Sequence, residues 1–287
     1  MSRTPQAKRG RPEVAAAPKF RLGGNYWRLF GSSLATNLGD GIMSIAMVWL
    51  ASGLTRDPLL ISVVALASSL PWLLFTLPAG VLADRLDRRH LVAWTDVARA
   101  TVVAAFALAV WRFQGDLHTP EQLASGVQAA PNAQLLLGVL IGVSFGLGCA
   151  EVVRDNAAQT LMASVVEPYQ LERANGRLWG AETTMNVFVG PPLGGLLVAF
   201  AVALPFGLNA ALLATAALLV FSLVGSFKAR GADESTSTGW RAEAAEGFRW
   251  LWGHRLLRTL ALMLAALNLL SALSTTLLVL FAQEILG

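Results

Sequence analysis

Long apolar runs separated by short polar connections dominate this chain. Seven runs are rich in Leu, Ala, Val and Gly, approximately residues 28–54, 59–82, 91–113, 133–153, 176–200, 206–227 and 258–284. A helix that crosses the hydrocarbon core of a bilayer needs about 20 apolar residues, whereas a strand of a membrane barrel needs about half as many. The pattern therefore predicts an all-α integral membrane protein.

Composition and charge agree with this prediction and add an orientation. The chain is 55% hydrophobic and 14% charged, with a mean hydropathy of +0.56. Most of its 22 Lys and Arg residues lie before the first run or in the connections after the second, fourth and sixth runs, and loop 114–132 has none. Since cytoplasmic connections are enriched in Lys and Arg, the N-terminus and the even-numbered connections are predicted to be cytoplasmic. Orientation explains the net charge of +4 better than a nucleic-acid surface does.

The runs divide the chain into four parts. These are a cytoplasmic basic tail (1–27), a six-helix transmembrane bundle (28–227), a cytoplasmic linker (228–257) and a seventh helix (258–287). Within the bundle, the Glu-Pro break in connection 154–177 suggests a short helix and turn at the membrane surface. In the second half of the linker, apolar residues recur at helical spacing on the face opposite the charged residues, which favours an interfacial amphipathic helix. The alternative is an extension of the seventh helix.

The seventh helix carries polar groups that need partners. Asn268, Ser271 and Thr275 share one face, and in lipid such groups must be covered by other helices. The sequence offers no eighth run. The expectation is that the chain is a fragment, or that its partner is a separate chain.

The cytoplasmic connection between the second and third runs reads "GVLADRLDRRH" over residues 80–90. It resembles the signature loop of the major facilitator superfamily, Gly-x-x-x-Asp-Arg-x-Gly-Arg-Arg, with Asp87 in place of the second Gly. The residues that match in register are Gly80, Asp84, Arg85, Arg88 and Arg89. A solvated basic loop is the alternative, but it leaves the glycine and the aspartate unexplained.

The loop residues have expected physical roles. Gly80 would allow close helix approach, and Asp84 could accept hydrogen bonds at a facing helix N-terminus. Arg88 could bridge to an acid at the inner end of the fourth run, where Glu151 and Asp155 are the candidates. These contacts would form a gate as the halves of the protein rock.

A second motif, "GPPLGG" at residues 190–195, lies in the fifth run. It resembles an element of the exporter and antiporter branches of the same superfamily. Gly190, Gly194 and Gly195 would allow close helix packing, and Pro191 removes a backbone donor and bends the helix. The motif indicates either a pliable gating helix or packing alone. Three glycines of the fourth run, Gly138, Gly142 and Gly146, also recur every four residues and are interpreted as packing positions.

Together these segments resemble the bacterial branch of the superfamily that contains enterobactin exporters and macrolide efflux proteins. The resemblance covers approximately residues 25–287 and implies a fold of two six-helix halves, of which this chain holds one half and one further helix. It also implies a location in the bacterial inner membrane.

A carboxylate lies in the middle of the first run. Ser33, Asn37, Asp40 and Ser44 recur at steps of three and four residues and form a polar stripe. A charged carboxylate at the bilayer centre costs at least about 2.5 kcal/mol, so Asp40 should face a water-filled cavity or carry a proton. Asp40 is therefore the first candidate for proton coupling, with a hydrogen bond to a neighbouring helix as the structural alternative.

Other polar residues of the runs receive weaker assignments. Glu182 is a second candidate for proton coupling. Asp96 and Arg99, three residues apart, can neutralise each other on one helix face, which favours a structural role. The predicted cavity-lining residues are Ser33, Asn37, Ser44, Asn186, Asn268, Ser271 and Thr275.

The function predicted from these residues and the resemblance is a secondary active transporter. It would export a small hydrophobic compound, drug or siderophore by alternating access, coupled to protons, although the residues do not separate export from import. The alternative is a transport-incompetent membrane subunit that acts as a binding or assembly partner. The sequence has no nucleophile paired with a base, no phosphate-binding loop and no metal-ligand spacing. It therefore does not indicate an enzyme, and no cofactor is expected. The expected partners are the substrate, protons, lipid and a missing second half, with no nucleic acid.

Overall fold

The computed structural model describes residues 22–55, 57–113, 132–225, 227, 240–264, 266–267 and 270. Their secondary structure is helical. The helices are α1 (Gly24–Leu54), α2 (Pro58–Arg85), α3 (Arg88–Phe113), α4 (Ala133–Val165), α5 (Leu171–Thr183), α6 (Gly190–Phe200), α7 (Leu204–Phe221) and α8 (Trp240–Gly253). A short 3₁₀ turn (Pro168–Gln170) precedes α5, and a π-helical segment (Thr184–Val189) joins α5 to α6.

Six helical units of the described chain are long and apolar enough to cross a membrane. The fifth of them is the continuous unit Pro168–Phe200. The prediction of a separate surface helix in connection 154–177 is wrong, because α4 runs on to Val165 and α5 begins at Leu171. The polar residues of this segment do not end α4, because Asn156 and Thr160 bond to carbonyl oxygens of α4 itself and Arg154 has partners on other helices. Most of the predicted seventh helix, including Asn268, Ser271 and Thr275, lies outside the described residues.

Helix α1 occupies the centre of the bundle. It contacts α4, α6 and α7, while α2 packs along α4 and α3 packs along α7. A Cβ atom added to Gly190 would lie 2.6 Å from the Cα atom of Gly41, and one added to Gly194 would lie 2.6 Å from the carbonyl oxygen of Ile42. Only glycine permits this approach between α1 and α6, because any side chain would overlap the facing backbone.

Not every glycine of these motifs is a packing position. An added Cβ at Gly195 or Gly80 would meet nothing within 4 Å, and the same holds for the three glycines of α4 at positions 138, 142 and 146. The packing interpretation of these glycines is therefore wrong among the described residues. At the crossing of α2 and α4 the close approach is made by Gly148, where an added Cβ would lie 2.6 Å from the Ser68 carbonyl oxygen.

The π-helical segment follows from the two prolines of "GPPLGG". Pro191 and Pro192 lack the amide hydrogens that an α-helix would direct to the carbonyl groups of Val187 and Phe188. The amide of Gly190 bonds instead to the carbonyl oxygen of Met185, five residues earlier. This wider turn carries the helix past the prolines without a break in the fifth unit.

Adjacent glycines of α6 provide a matched test of the packing against α1. We expect Gly194→Leu to destabilise the protein by about 1–3 kcal/mol, the usual range for overpacking, because the new side chain would meet the α1 backbone. In detergent, its thermal unfolding midpoint, followed by size-exclusion chromatography after heating, should fall by several degrees.

The control is Gly195→Leu, whose side chain has open space. This variant should keep the midpoint of the unsubstituted protein. Equal midpoints for the two variants would contradict the close contact between α1 and α6.

Candidate functional site

A layer of charged side chains lies between two apolar clusters of the bundle. One cluster contains Leu29, Val92 and Leu161, and the other contains Met43, Val103 and Leu140. In α1, α3 and α4 the charged residues fall between these positions along the chain. They are Asp40, Asp96, Arg99, Glu151, Arg154 and Asp155. Apolar clusters thus flank the layer on both sides along the helices.

An ion pair between α1 and α3 is the shortest contact of this layer. Arg99 donates from Nη2 to Oδ1 of Asp40 over 2.5 Å. The Arg99 side chain is 2% exposed, whereas that of Asp40 is 20% exposed. The predicted pairing of Asp96 with Arg99 is therefore wrong, because Arg99 reaches across to α1 rather than along its own helix.

A second ion pair joins α3 to α4. Arg154 places Nε 3.5 Å from Oδ1 of Asp96, and both side chains are buried. The same guanidinium donates to Asp155 over 3.1 Å and to the Ser32 hydroxyl oxygen of α1 over 3.3 Å. Arg154 therefore ties together three helices in a region that excludes most water.

Two further carboxyl groups make the layer acidic. Glu151 interacts electrostatically with Asp40 and Arg99, and Glu182 of α5 interacts with Arg154. The carboxyl groups of Asp40, Asp96, Glu151, Asp155 and Glu182 thus face the guanidinium groups of Arg99 and Arg154. The layer thus holds more carboxyl groups than guanidinium groups, and each buried arginine has a carboxylate partner.

A cavity of about 510 Å³ opens onto this layer. Its acidic and basic residues are Asp40, Arg99 and Glu151, and its apolar wall includes Met43, Met47, Val48, Val64, Trp72 and Leu147. Ser44, Ser68, Ser69, Ser144, Asn186 and Asn209 add neutral polar groups. A volume of this size falls within the range of small-molecule sites.

The structure separates the members of the predicted polar stripe. Asp40, Ser44 and Asn186 line the cavity, as predicted for the last two. Ser33 is 1% exposed, so the prediction that it lines the cavity is wrong. Asn37 does not line it either; its amide oxygen accepts a 3.5 Å hydrogen bond from Asn186. Packing against neighbouring helices covers the N-terminal end of the stripe.

The signature loop makes different contacts from those predicted. Arg88 donates to the Ser164 hydroxyl oxygen over 3.3 Å and lies 3.8 Å from Asp84, whose side chain is 70% exposed. The proposed bridge from Arg88 to Glu151 or Asp155 is wrong, since both acids belong to the buried layer. Asp84 faces Arg88 rather than a helix N-terminus.

Asp87, which differs from the signature pattern, is the N-cap residue immediately before α3. Its carboxylate accepts a hydrogen bond from the backbone amide of His90 over 3.1 Å, which is the N-cap geometry that Asp favours. Arg89 donates to the Phe221 carbonyl oxygen at the C-terminus of α7. A cation suits this helix end, where carbonyl groups lack intrahelical partners. The loop thus joins the start of α3 to the end of α7. Arg85 lies in a separate groove lined by α2 and α4 residues.

Sequence reasoning missed two members of the site. Asn209 lies in the middle of apolar helix α7, is 1% exposed and lines the cavity, with an amide oxygen that has no hydrogen-bond partner among the described residues. A single amide within an apolar run is the signal that could have identified it. Arg154 was assigned to a cytoplasmic connection because the predicted fourth run ended at residue 153.

Comparison with known proteins identifies the chain. The model of the Major Facilitator Superfamily matches residues 29–287. The chain belongs to the Major Facilitator Superfamily. This membership, with the six membrane-length helices, makes it a multi-pass membrane protein of a transporter family rather than an enzyme family.

Two relatives of the chain come from bacteria. The chain is 32% identical to the multidrug efflux pump Tap of Mycobacterium tuberculosis (strain ATCC 25618 / H37Rv) over 243 residues, which cover 82% of the chain and 52% of that protein. It is 29% identical to the multidrug efflux pump Tap of Mycolicibacterium fortuitum over 239 residues, which cover 80% and 53%. The chain thus spans about half the length of these relatives.

The buried pair of Asp96 and Arg154 can be tested by its removal. We expect Arg154→Met to reduce the yield of folded protein strongly, because an unpaired carboxylate left in such a site costs about 3–5 kcal/mol. Adding Asp96→Leu to this variant should restore much of the yield. Folded protein would be measured as the monodisperse peak in detergent.

Arg112, an exposed arginine near the end of α3, gives the control. Arg112→Met should keep the yield. If Arg154→Met also kept it, the ion pair would not be needed for the fold.

Proposed function

We propose that this chain forms the cytoplasmic tail, first half and linker of a proton-coupled exporter, followed by the start of its second half. The proposed divisions are 1–27, 28–227, 228–257 and 258–287. The exporter would move a small hydrophobic compound, such as a drug, out of a bacterial cytoplasm by alternating access. The observation that carries this proposal is the meeting of an ion pair, a further carboxyl group and an apolar wall in one cavity.

The lining of the cavity suits an amphiphilic substrate. Met, Val, Leu and Trp side chains offer contact to an apolar body, and methionine adapts to different shapes. Asp40 and Glu151 offer negative charge to a polar or cationic group, while Asn186 and Asn209 supply amides. The name multidrug efflux pump, which both Tap relatives bear, supports export of drugs over the subunit alternative.

Asp40 is the proposed coupling residue. A proton on its carboxylate would cancel the charge that holds Arg99, and the guanidinium would then be released from α1. A substrate that needs the carboxylate competes with the proton, so the two would occupy the cavity in turn. Binding that favours one of two conformations shifts their populations, which is how a proton gradient would drive export. Glu182 remains a weaker candidate, since it interacts with Arg154 rather than with Arg99.

The signature loop is proposed to act on the cytoplasmic side. Arg88 bonds to α4 and Arg89 bonds to the end of α7, so the loop couples α2 and α3 to helices that carry or flank the cavity. In this position the loop would stabilise one conformation of the first six-helix half and release it during the transport cycle.

Asp40→Asn tests the coupling. We expect this variant to be expressed and inserted, because asparagine has the same shape, but to lose efflux driven by a proton gradient. The measurement is efflux of a fluorescent apolar dye from inverted vesicles that contain the complete encoded protein. Asp57→Asn is the matched control, because Asp57 is an exposed helix cap and asparagine caps equally well. Unchanged proton-driven efflux by Asp40→Asn would contradict the role, and failure to insert would make Asp40 structural.

The proposed orientation has its own test. In a Cys149→Ser background, we expect Thr55→Cys, between α1 and α2, to react with an impermeant maleimide in intact cells. Leu86→Cys, between α2 and α3, should react only in inverted vesicles, because even-numbered connections are proposed to be cytoplasmic. The reverse pattern of labelling would place the N-terminus outside.

A further inference from the structure

Glu151 faces the same cavity as the ion pair of Asp40 and Arg99. The three residues come from different helices, with Asp40 on α1, Arg99 on α3 and Glu151 on α4, and all three line the cavity. Glu151 interacts electrostatically with both members of the pair. Two carboxyl groups are thus placed beside one guanidinium.

The guanidinium of Arg99 has unused donors. Arg99 is 3% exposed, and its Nη2 donates to Asp40. Its Nε and Nη1 atoms are buried and have no hydrogen-bond partner among the described residues. Since a buried donor without a partner loses the free energy of a hydrogen bond, these atoms favour a second acceptor. In this cavity the acceptor that also carries charge is the Glu151 carboxylate.

The other charged groups near Glu151 already have partners. Arg154 on its own helix bonds to Asp155 and lies beside Asp96 of α3. Glu182 of α5 interacts with Arg154 and Asp155. The cavity wall from α2 consists of neutral side chains, as do the lining residues of the π-helical segment and α7. Arg99 is therefore the cation that lines the cavity together with Asp40 and Glu151.

We infer that Glu151 is a second proton-binding carboxyl group of the cavity and that it shares Arg99 with Asp40. This inference rests on the proposed proton-coupled function and names a further residue of its proton pathway. Arg99 neutralises one carboxylate at a time, and the other carboxyl group holds a proton. When a proton binds to Asp40, the Arg99 guanidinium turns to Glu151, whose own proton leaves to the cavity. One proton enters and one leaves, so the net charge of the three groups is unchanged.

The test uses infrared difference spectroscopy on the complete protein reconstituted in lipid, without any substrate. Protonated carboxyl groups have a carbonyl band that carboxylates lack. Changing the pH from about 6 to about 9 keeps exposed carboxyl groups ionised, because their pKa is near 4. We expect Glu151→Gln to lose the carboxyl band of Glu151 and to weaken that of Asp40, because Arg99 then pairs with Asp40 alone. Asp40→Asn should lose the Asp40 band and weaken the Glu151 band for the same reason. Glu167→Gln, at an exposed position between α4 and α5, is the matched control and should keep both bands.

Arg99→Gln tests the sharing itself. We expect it to change both bands, whereas a change confined to the Asp40 band would overturn the shared role of Arg99. A spectrum of Glu151→Gln that keeps every band would overturn proton binding by Glu151. If Glu151→Gln does not elute as folded protein, Glu151→Asp replaces it. The carbonyl band of residue 151 must then shift in frequency, and a spectrum without any shifted band would overturn the inference. Loss of the bands in the expected variants, together with no dye efflux by the unsubstituted protein, would sustain this inference while contradicting the proposed function.

Discussion

Two buried arginines must meet carboxylates, and the arrangement of the bundle depends on this constraint. An unpaired charge in a medium of low dielectric constant costs several kcal/mol, so neither Arg99 nor Arg154 can lie inside the bundle alone. Arg99 joins α3 to α1, and Arg154 joins α4 to α3 and α1. The rotation of each helix about its own axis is thereby restricted, because the charged residues of three helices must point to one layer.

Apolar packing and close glycine contacts hold that layer in place. Gly41 and Gly190 bring α1 and α6 together on one side, and the π-helical segment ahead of "GPPLGG" places Asn186 at the cavity. The motif that indicated a pliable helix thus also positions a polar lining residue. Its prolines cannot donate backbone hydrogen bonds to the preceding turn, and this irregular turn widens the helix next to the proposed site of transport.

Much of the fold followed from the hydrophobic pattern. The first six of the seven predicted runs correspond to the six membrane-length helices of the described residues, because a bilayer imposes both the length and the apolar character of a spanning helix. The hydrophobic pattern predicted the wrong helix end where polar residues extend a helix beyond its apolar run. Residues after position 153 were assigned to a surface connection, yet α4 extends to Val165. Hydropathy does not reveal that the guanidinium group of Arg154 forms an ion pair with a carboxylate on another helix.

The sequence by itself determined the class of the protein and the prominence of Asp40, since a carboxylate in an apolar helix is visible without coordinates. Only the tertiary structure decided the partners. Asp96 and Arg99 are neighbours on one helix face, but each forms an ion pair with a residue more than fifty positions away in the chain. Glu151 and Asn209 joined the cavity for the same reason: which side of a helix faces a cavity depends on how the other helices pack. Local spacing holds no information on that packing.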